Sequence, residues 1–150
     1  MYHRILVPID GSPTAERGLR EAIRLAAEQK GKLRLLHVID DFPMLVEMST
    51  ISSFDANLQK MREYGQSVLA AGKAAATQSE VEVDTILREV TRGRIADVVI
   101  EEAKKAACDL VVMGTHGRRG FSRLALGSDA DLVVRGSPVP VLLVRQEAGG

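Results

Sequence analysis

Between Gly114 and Ser128 the chain carries four glycines (Gly114, Gly117, Gly120 and Gly127), three arginines (Arg118, Arg119 and Arg123) and His116, with a serine directly after the last glycine. Glycine lets a backbone approach an anion closely and turn its N–H groups inward. A helix opening at Ser128 adds unpaired N–H donors and a partial positive charge, and the Ser128 hydroxyl adds one donor more. The chemistry predicted is phosphate binding, with the arginines able to steer and clamp the charge. By glycine spacing alone, a solvated surface turn is the better reading. Three features reverse that order: the segment follows a strand, its last glycine opens a helix, and Asp10 closes another apolar run in Asp10-Gly11-Ser12.

Other chemistry finds less support. No G-x-x-x-x-G-K-[ST] segment is present, so no P-loop lysine and hydroxyl serve phosphates. The first strand runs into Asp10-Gly11-Ser12 rather than G-x-G-x-x-G, which disfavours a dinucleotide fold. Asp10 and His116 are the one pair to consider for acid–base work. His3, His37 and His116 lack metal-ligand spacing, and His37, inside a strand, reads as structural. Cys108 reads as an apolar filler at a helix end.

The elements that must position these groups follow from apolar periodicity. Dense runs at Ile5–Ile9, Leu33–Ile39, Val81–Val90, Leu110–Met113 and Val139–Val144 predict five strands. Helical spacing predicts helices after Ser12-Pro13, over about Phe54–Gln78, over Ile95–Ala107 and over Ser128–Arg135. Gly31 is placed to stop the first, and Ser128-Asp129-Ala130-Asp131 to cap the last. Regular β–α alternation with long crossovers implies an α/β fold, a parallel sheet with helices on both faces. In such sheets ligands bind beyond the carboxyl ends of the strands. The apolar stretch at 42–51 reads as an irregular cap over the core, with a lid as the alternative.

Composition bounds the classes. The 150 residues fit one domain, expected over 1–146 with a frayed tail at 147–150. Twenty basic residues balance twenty acidic ones, which argues against a nucleic-acid partner. The longest apolar run, Pro138–Val144, is far short of the ~20 residues a membrane span needs, and no signal peptide is expected. A single cysteine excludes an internal disulfide framework. A cytoplasmic protein is expected.

Four segments, in order, resemble the universal stress protein family in its ATP-binding, single-domain branch. They are Ile5-Leu6-Val7-Pro8-Ile9-Asp10-Gly11-Ser12, Leu36-His37-Val38-Ile39-Asp40, Gly114-x2-Gly117-x9-Gly127-Ser128 and Ser137-Pro138-Val139-Pro140-Val141-Leu142-Leu143-Val144. The resemblance implies a Rossmann-like open sheet of five parallel strands in the order 3-2-1-4-5, with an adenine nucleotide between the ends of strands one and four. It implies that Pro8 and Ile9 flank the base, that Val38 pairs with adenine through its backbone, and that Asp10 lies at the ribose, where it helps hold Mg²⁺-bound phosphates. It also implies that Met113 and Gly114 line the sugar and phosphate side and that Gly117, Gly127 and Ser128 grip the phosphates. It further implies a homodimer paired through Val139–Val144, which would bury an apolar edge strand.

Asp129 departs from the family, which has a small apolar residue there. Its carboxylate suits a helix N-terminus yet competes with phosphate for the same donors. Three roles stay open: pointing away, helping hold Mg²⁺, or weakening triphosphate relative to monophosphate. The function expected is an ATP-binding regulatory module of the stress response, read by an unknown protein partner, with slow or no hydrolysis. The alternatives are a weak ATPase or nucleotidyl-transfer enzyme on the same scaffold, and a stress protein that binds no nucleotide and acts through protein contacts.

Overall fold

The computed structural model of the chain describes residues 1–42, 51–116 and 126–146. Its elements alternate: β1 (Arg4–Pro8), α1 (Pro13–Gln29), β2 (Lys32–Asp40), α2 (Ile51–Gln78), β3 (Glu82–Val90), α3 (Ile95–Lys105), β4 (Leu110–Gly114), α4 (Ser128–Gly136) and β5 (Val141–Val144). The strands form one sheet in the order β3-β2-β1-β4-β5. Every neighbouring pair is parallel, as the expected α/β architecture requires.

Both faces of the sheet are covered, so the central strands are continuous apolar runs. Ile5, Val7, Leu33, Leu35, Leu110 and Val112 point to one side, against Leu19, Ala22, Ile23 and Ala26 of α1 and Leu69 and Ala76 of α2. Leu6, Leu36, Val111 and Met113 point to the other, against Ala96, Val99 and Ala103 of α3 and Ala130 and Val133 of α4. Ile5, Leu6, Leu33, Leu35 and Leu36 are fully shielded, and each such side chain contributes roughly 1.5–3 kcal/mol relative to exposure.

A charged group also lies inside this framework. Glu102 of α3 is 2% exposed and accepts from Arg34 Nε and Arg88 Nη1, each at 2.9 Å. Arg34 also reaches Asp84 and Arg88 reaches Glu101, both at 3.0 Å. The bonds to Glu101 and Glu102 hold the Arg88 guanidinium more firmly protonated than usual. A buried carboxylate thus ties α3 to β2 and β3, and both its oxygens are satisfied, which burial of a charge demands.

Several boundaries differ from expectation for local reasons. Helix α1 ends with Lys30, not Gly31, in the left-handed region (φ 57°). Gly31 is needed for space instead, since a Cβ there would lie 2.8 Å from Tyr2 O. Helix α2 begins at Ile51 rather than Phe54. The residue capping α4 is Gly127, leaving Ser128 as the first helical residue. Strand β5 starts at Val141 rather than Val139. Val139 is held in a side-chain turn: its N–H donates to Ser137 Oγ at 3.1 Å, while Ser137 Oγ donates to Val139 O at 2.7 Å. The cap or lid at 42–51 falls almost wholly outside the described residues, as does the 147–150 tail. Among the described residues, no helix is long and apolar enough to cross a membrane.

Candidate functional site

The carboxyl ends of β1, β4 and β5 and the N-termini of α1 and α4 meet at one rim of the sheet. Gly114, the last residue of β4, lies against the first turn of α1, where a Cβ would come within 2.6 Å of Thr14 Cγ2. Thr115 N–H donates to Val144 O at 3.0 Å, and Gly127 N–H donates to Thr115 O at 2.8 Å. The chain leaving β4 is therefore bonded both to the end of β5 and to the start of α4. The nine-residue helix α4 opens at this rim, and the first turn of a helix carries N–H groups without intrahelical partners, an arrangement suited to an anion.

Asp10 stands at the same rim after β1. Its Oδ1 accepts from Ser12 N–H at 2.9 Å, and the buried Ser12 hydroxyl accepts from Ala15 N–H at 3.2 Å as the cap of α1. Between them Gly11 has φ +83°, which glycine adopts without the steric cost other residues meet. The turn orients the half-buried Asp10 carboxylate through its own backbone.

The β1–β2 ladder pairs Pro8 with Leu36 as its last residues, and one further bond runs from Ile9 N–H to Leu36 O at 2.8 Å. The β2–β3 ladder continues to Asp40 and Val90. Backbone groups alternate along a strand, so Leu36 and Val38 turn theirs to the same side. The Val38 N–H and C=O thus face the side of the sheet that β1 has just left. The Ile9 carbonyl, the ladder's natural acceptor for Val38 N–H, accepts instead from His37 Nδ1 at 2.8 Å.

Side-chain alternation sorts the apolar candidates. Pro8 follows Leu6, and Val38 follows Leu36, on the α3–α4 face, where Met113 also lies. The three come from adjacent strands and form an apolar floor beside Asp10. Ile9 is the exception. It is 6% exposed and belongs to the opposite core, lying close enough to α2 that a Cβ on Gly72 would be 3.1 Å from Ile9 Cδ1. Alternation sends its side chain to the opposite face of the sheet from Pro8.

Ser128 is exposed and Asp129 half-buried at the start of α4. Asp131, in the same turn, accepts from Arg135 Nε at 3.2 Å. Gly127 has a packing reason of its own, since a Cβ there would lie 2.8 Å from Thr115 O. The Thr115 hydroxyl and His116 Nδ1 are 3.0 Å apart. Gly117 and Arg118 lie outside the described residues, as do Arg119, Gly120 and Arg123. Among the described residues, no group of three or more His, Cys, Asp and Glu could hold a metal ion.

Sequence reasoning missed Tyr64. From α2 its hydroxyl donates to Asp10 O at 2.9 Å, and its ring stands edge-on to His37 with centroids 6.1 Å apart. Its signal is modest: a tyrosine beside Gly65 on the inward face of an Ala-rich helix, in a chain with two tyrosines in all.

Comparison with known proteins places these features in a wider set. A family model described as the universal stress protein family matches residues 1–145. The universal stress protein MJ0531 of Methanocaldococcus jannaschii is 32% identical over 97% of this chain and 84% of its own length. Among solved structures, the hypothetical protein MJ0577 superposes with a TM-score of 0.87 at 26% identity, covering 99% of both chains. A universal stress protein in complex with cAMP shares the fold at TM-score 0.65 and 24% identity, over 97% of this chain and 98% of that one. A family protein from Arabidopsis thaliana with AMP bound shares it at TM-score 0.70 and 18% identity, over 97% and 93%.

Proposed function

We propose that this chain, which belongs to the universal stress protein family, is a regulatory module that binds ATP or a related adenine nucleotide between the ends of β1 and β4. The observation that carries this reading is the open backbone of Val38 beside the apolar floor of Pro8 and Met113. A purine edge offering one donor and one acceptor suits a residue whose N–H and C=O face the same way. The cAMP and AMP complexes of family members support the ligand class.

In this reading the base lies on Pro8 and Met113 and pairs with Val38. The ribose meets the Asp10 carboxylate, and the phosphates meet Ser128 and the α4 N-terminus, with Gly117 and Arg118 completing the cradle. Gly114 and Gly127 serve by holding the helix starts close. Ile9 contributes its backbone, as its side chain belongs to the core. Mg²⁺ fits here only as an ion carried by the phosphates. Asp10 already accepts from Ser12 N–H, so it supplies one carboxylate oxygen rather than a full ligand set. The chain carries no G-x-x-x-x-G-K-[ST] loop to serve the phosphates, which favours slow or no hydrolysis. A second copy of the chain is the partner proposed for the β5 edge.

Titration calorimetry with ATP, ADP and AMP, with and without Mg²⁺, tests the proposal. The expected result is saturable binding near one nucleotide per chain, with the ATP-to-AMP ratio reading the influence of Asp129. A folded, ligand-free protein that binds no adenine nucleotide overturns it.

A further inference from the structure

The turn carrying Asp10 is held from the α2 side by two side chains, His37 and Tyr64. When β1 leaves the sheet, the carbonyls of Ile9 and Asp10 lose their ladder. His37 Nδ1 donates to Ile9 O at 2.8 Å, which requires the Nδ1–H tautomer because a carbonyl only accepts. Tyr64 Oη donates to Asp10 O at 2.9 Å. The two rings meet edge to face at 70°, so each restrains the other. Gly65 makes room for this pair, since a Cβ there would lie 2.7 Å from His37 Cδ2. Gly11 does the same from the other side, where a Cβ would collide with the Tyr64 hydroxyl.

We infer that Tyr64 is a positioning residue: with His37 it fixes the Asp10 carboxylate and so sets affinity for the ribose of the ligand from a helix outside the binding cleft. This rests on the proposed nucleotide reading. The Asp10 carbonyl and carboxylate belong to one residue next to a left-handed glycine, a pivot that can swing. Pinning the carbonyl leaves the carboxylate few orientations. A preorganised group binds without the ordering cost a mobile one incurs. Contacts on the base run through Val38 and do not depend on this turn.

The test compares adenosine with free adenine on the wild type, on Tyr64→Phe, on Asp10→Ala and on the double variant. Phenylalanine keeps the ring against His37 and removes only the hydroxyl. Amide exchange of Ser12, bonded to Asp10 Oδ1, is followed in the absence of ligand, with Val7 as the control. Tyr64→Phe is expected to weaken adenosine about fivefold, leave adenine unchanged and speed Ser12 exchange several-fold without affecting Val7. In the Asp10→Ala background it should cost adenosine nothing further. Equal weakening of adenine and adenosine, an additive loss in the double variant, or unchanged Ser12 exchange overturns the inference. A wild type that binds neither of these and no ATP, ADP or AMP overturns the nucleotide reading; wherever adenosine and adenine both fail to bind, Ser12 exchange alone decides whether Tyr64 holds the turn.

Discussion

Gly114 packs directly on Thr14: a Cβ at residue 114 would lie 2.6 Å from Thr14 Cγ2 and 2.9 Å from Thr14 O. The glycine ending β4 is therefore required by the start of α1, whatever ligand is bound. Gly114→Ala should destabilise the protein by about 1–3 kcal/mol, the usual cost of forcing a methyl into packed backbone, measured by urea denaturation. Ser128→Ala, at an exposed position, should change stability by no more than about 0.5 kcal/mol. It should nevertheless weaken AMP relative to adenosine several-fold.

Glu102 satisfies two guanidiniums at once, and leucine in its place would leave them facing an apolar group. Glu102→Leu should lower stability by about 3 kcal/mol, as removing one partner of a buried ion pair does. Thermal and urea unfolding check this. A change within measurement error would mean that Asp84 and Glu101 suffice for the two arginines.

Cys108 is 6% exposed, and its thiol is held above the ordinary range, first by desolvation, with the nearby Arg4 and Arg34 opposing. Burial disfavours the thiolate, so the folded state keeps its proton to higher pH than the unfolded chain does. The resulting stability is complete below the ordinary thiol range and is lost as pH rises through the folded value. Cys108→Ala should flatten that alkaline decline. In the native protein the thiol should react with a maleimide far more slowly than in urea.

Leu142 on β5 is 39% exposed, and β5 ends the sheet opposite β3. An apolar edge strand of this kind is covered or becomes an aggregation site. Sedimentation at micromolar concentration should find a dimer, and Leu142→Lys should give a monomer with the same far-UV spectrum. A wild-type monomer that stays soluble would reject the β5 interface.

The strands were legible because burial on both faces makes them dense apolar runs; Leu33–Ile39 could be read as a strand without its neighbours. Segment ends were less so, because tertiary bonds decide them. Val139 belongs to an apolar run, yet the Ser137 side chain draws it out of the ladder. Lys30 takes the left-handed position because Gly31 is used for its closeness to Tyr2. In the site, Asp10 stood out as the polar end of a strand. The clamp of His37 and Tyr64 joins residues far apart in sequence, and no spacing rule brings them together. Glu102 was hidden likewise, within Glu101-Glu102-Ala103-Lys104-Lys105, where only the arginines on neighbouring strands distinguish it from a solvated carboxylate.

β1 stops pairing at Leu36 while β2 and β3 run on to Asp40 and Val90, leaving a notch in the middle of the sheet. A planar ring bonded to Val38 would occupy the place of the missing strand and become a removable part of the architecture. Occupancy then enters the unfolding equilibrium: ligand at a hundred times its Kd adds about 2.7 kcal/mol. That is a substantial fraction of what holds a domain of this size together. The lifetime of the chain against heat and proteases would rise and fall with the supply of a small molecule, making the amount of surviving protein a gauge of that supply.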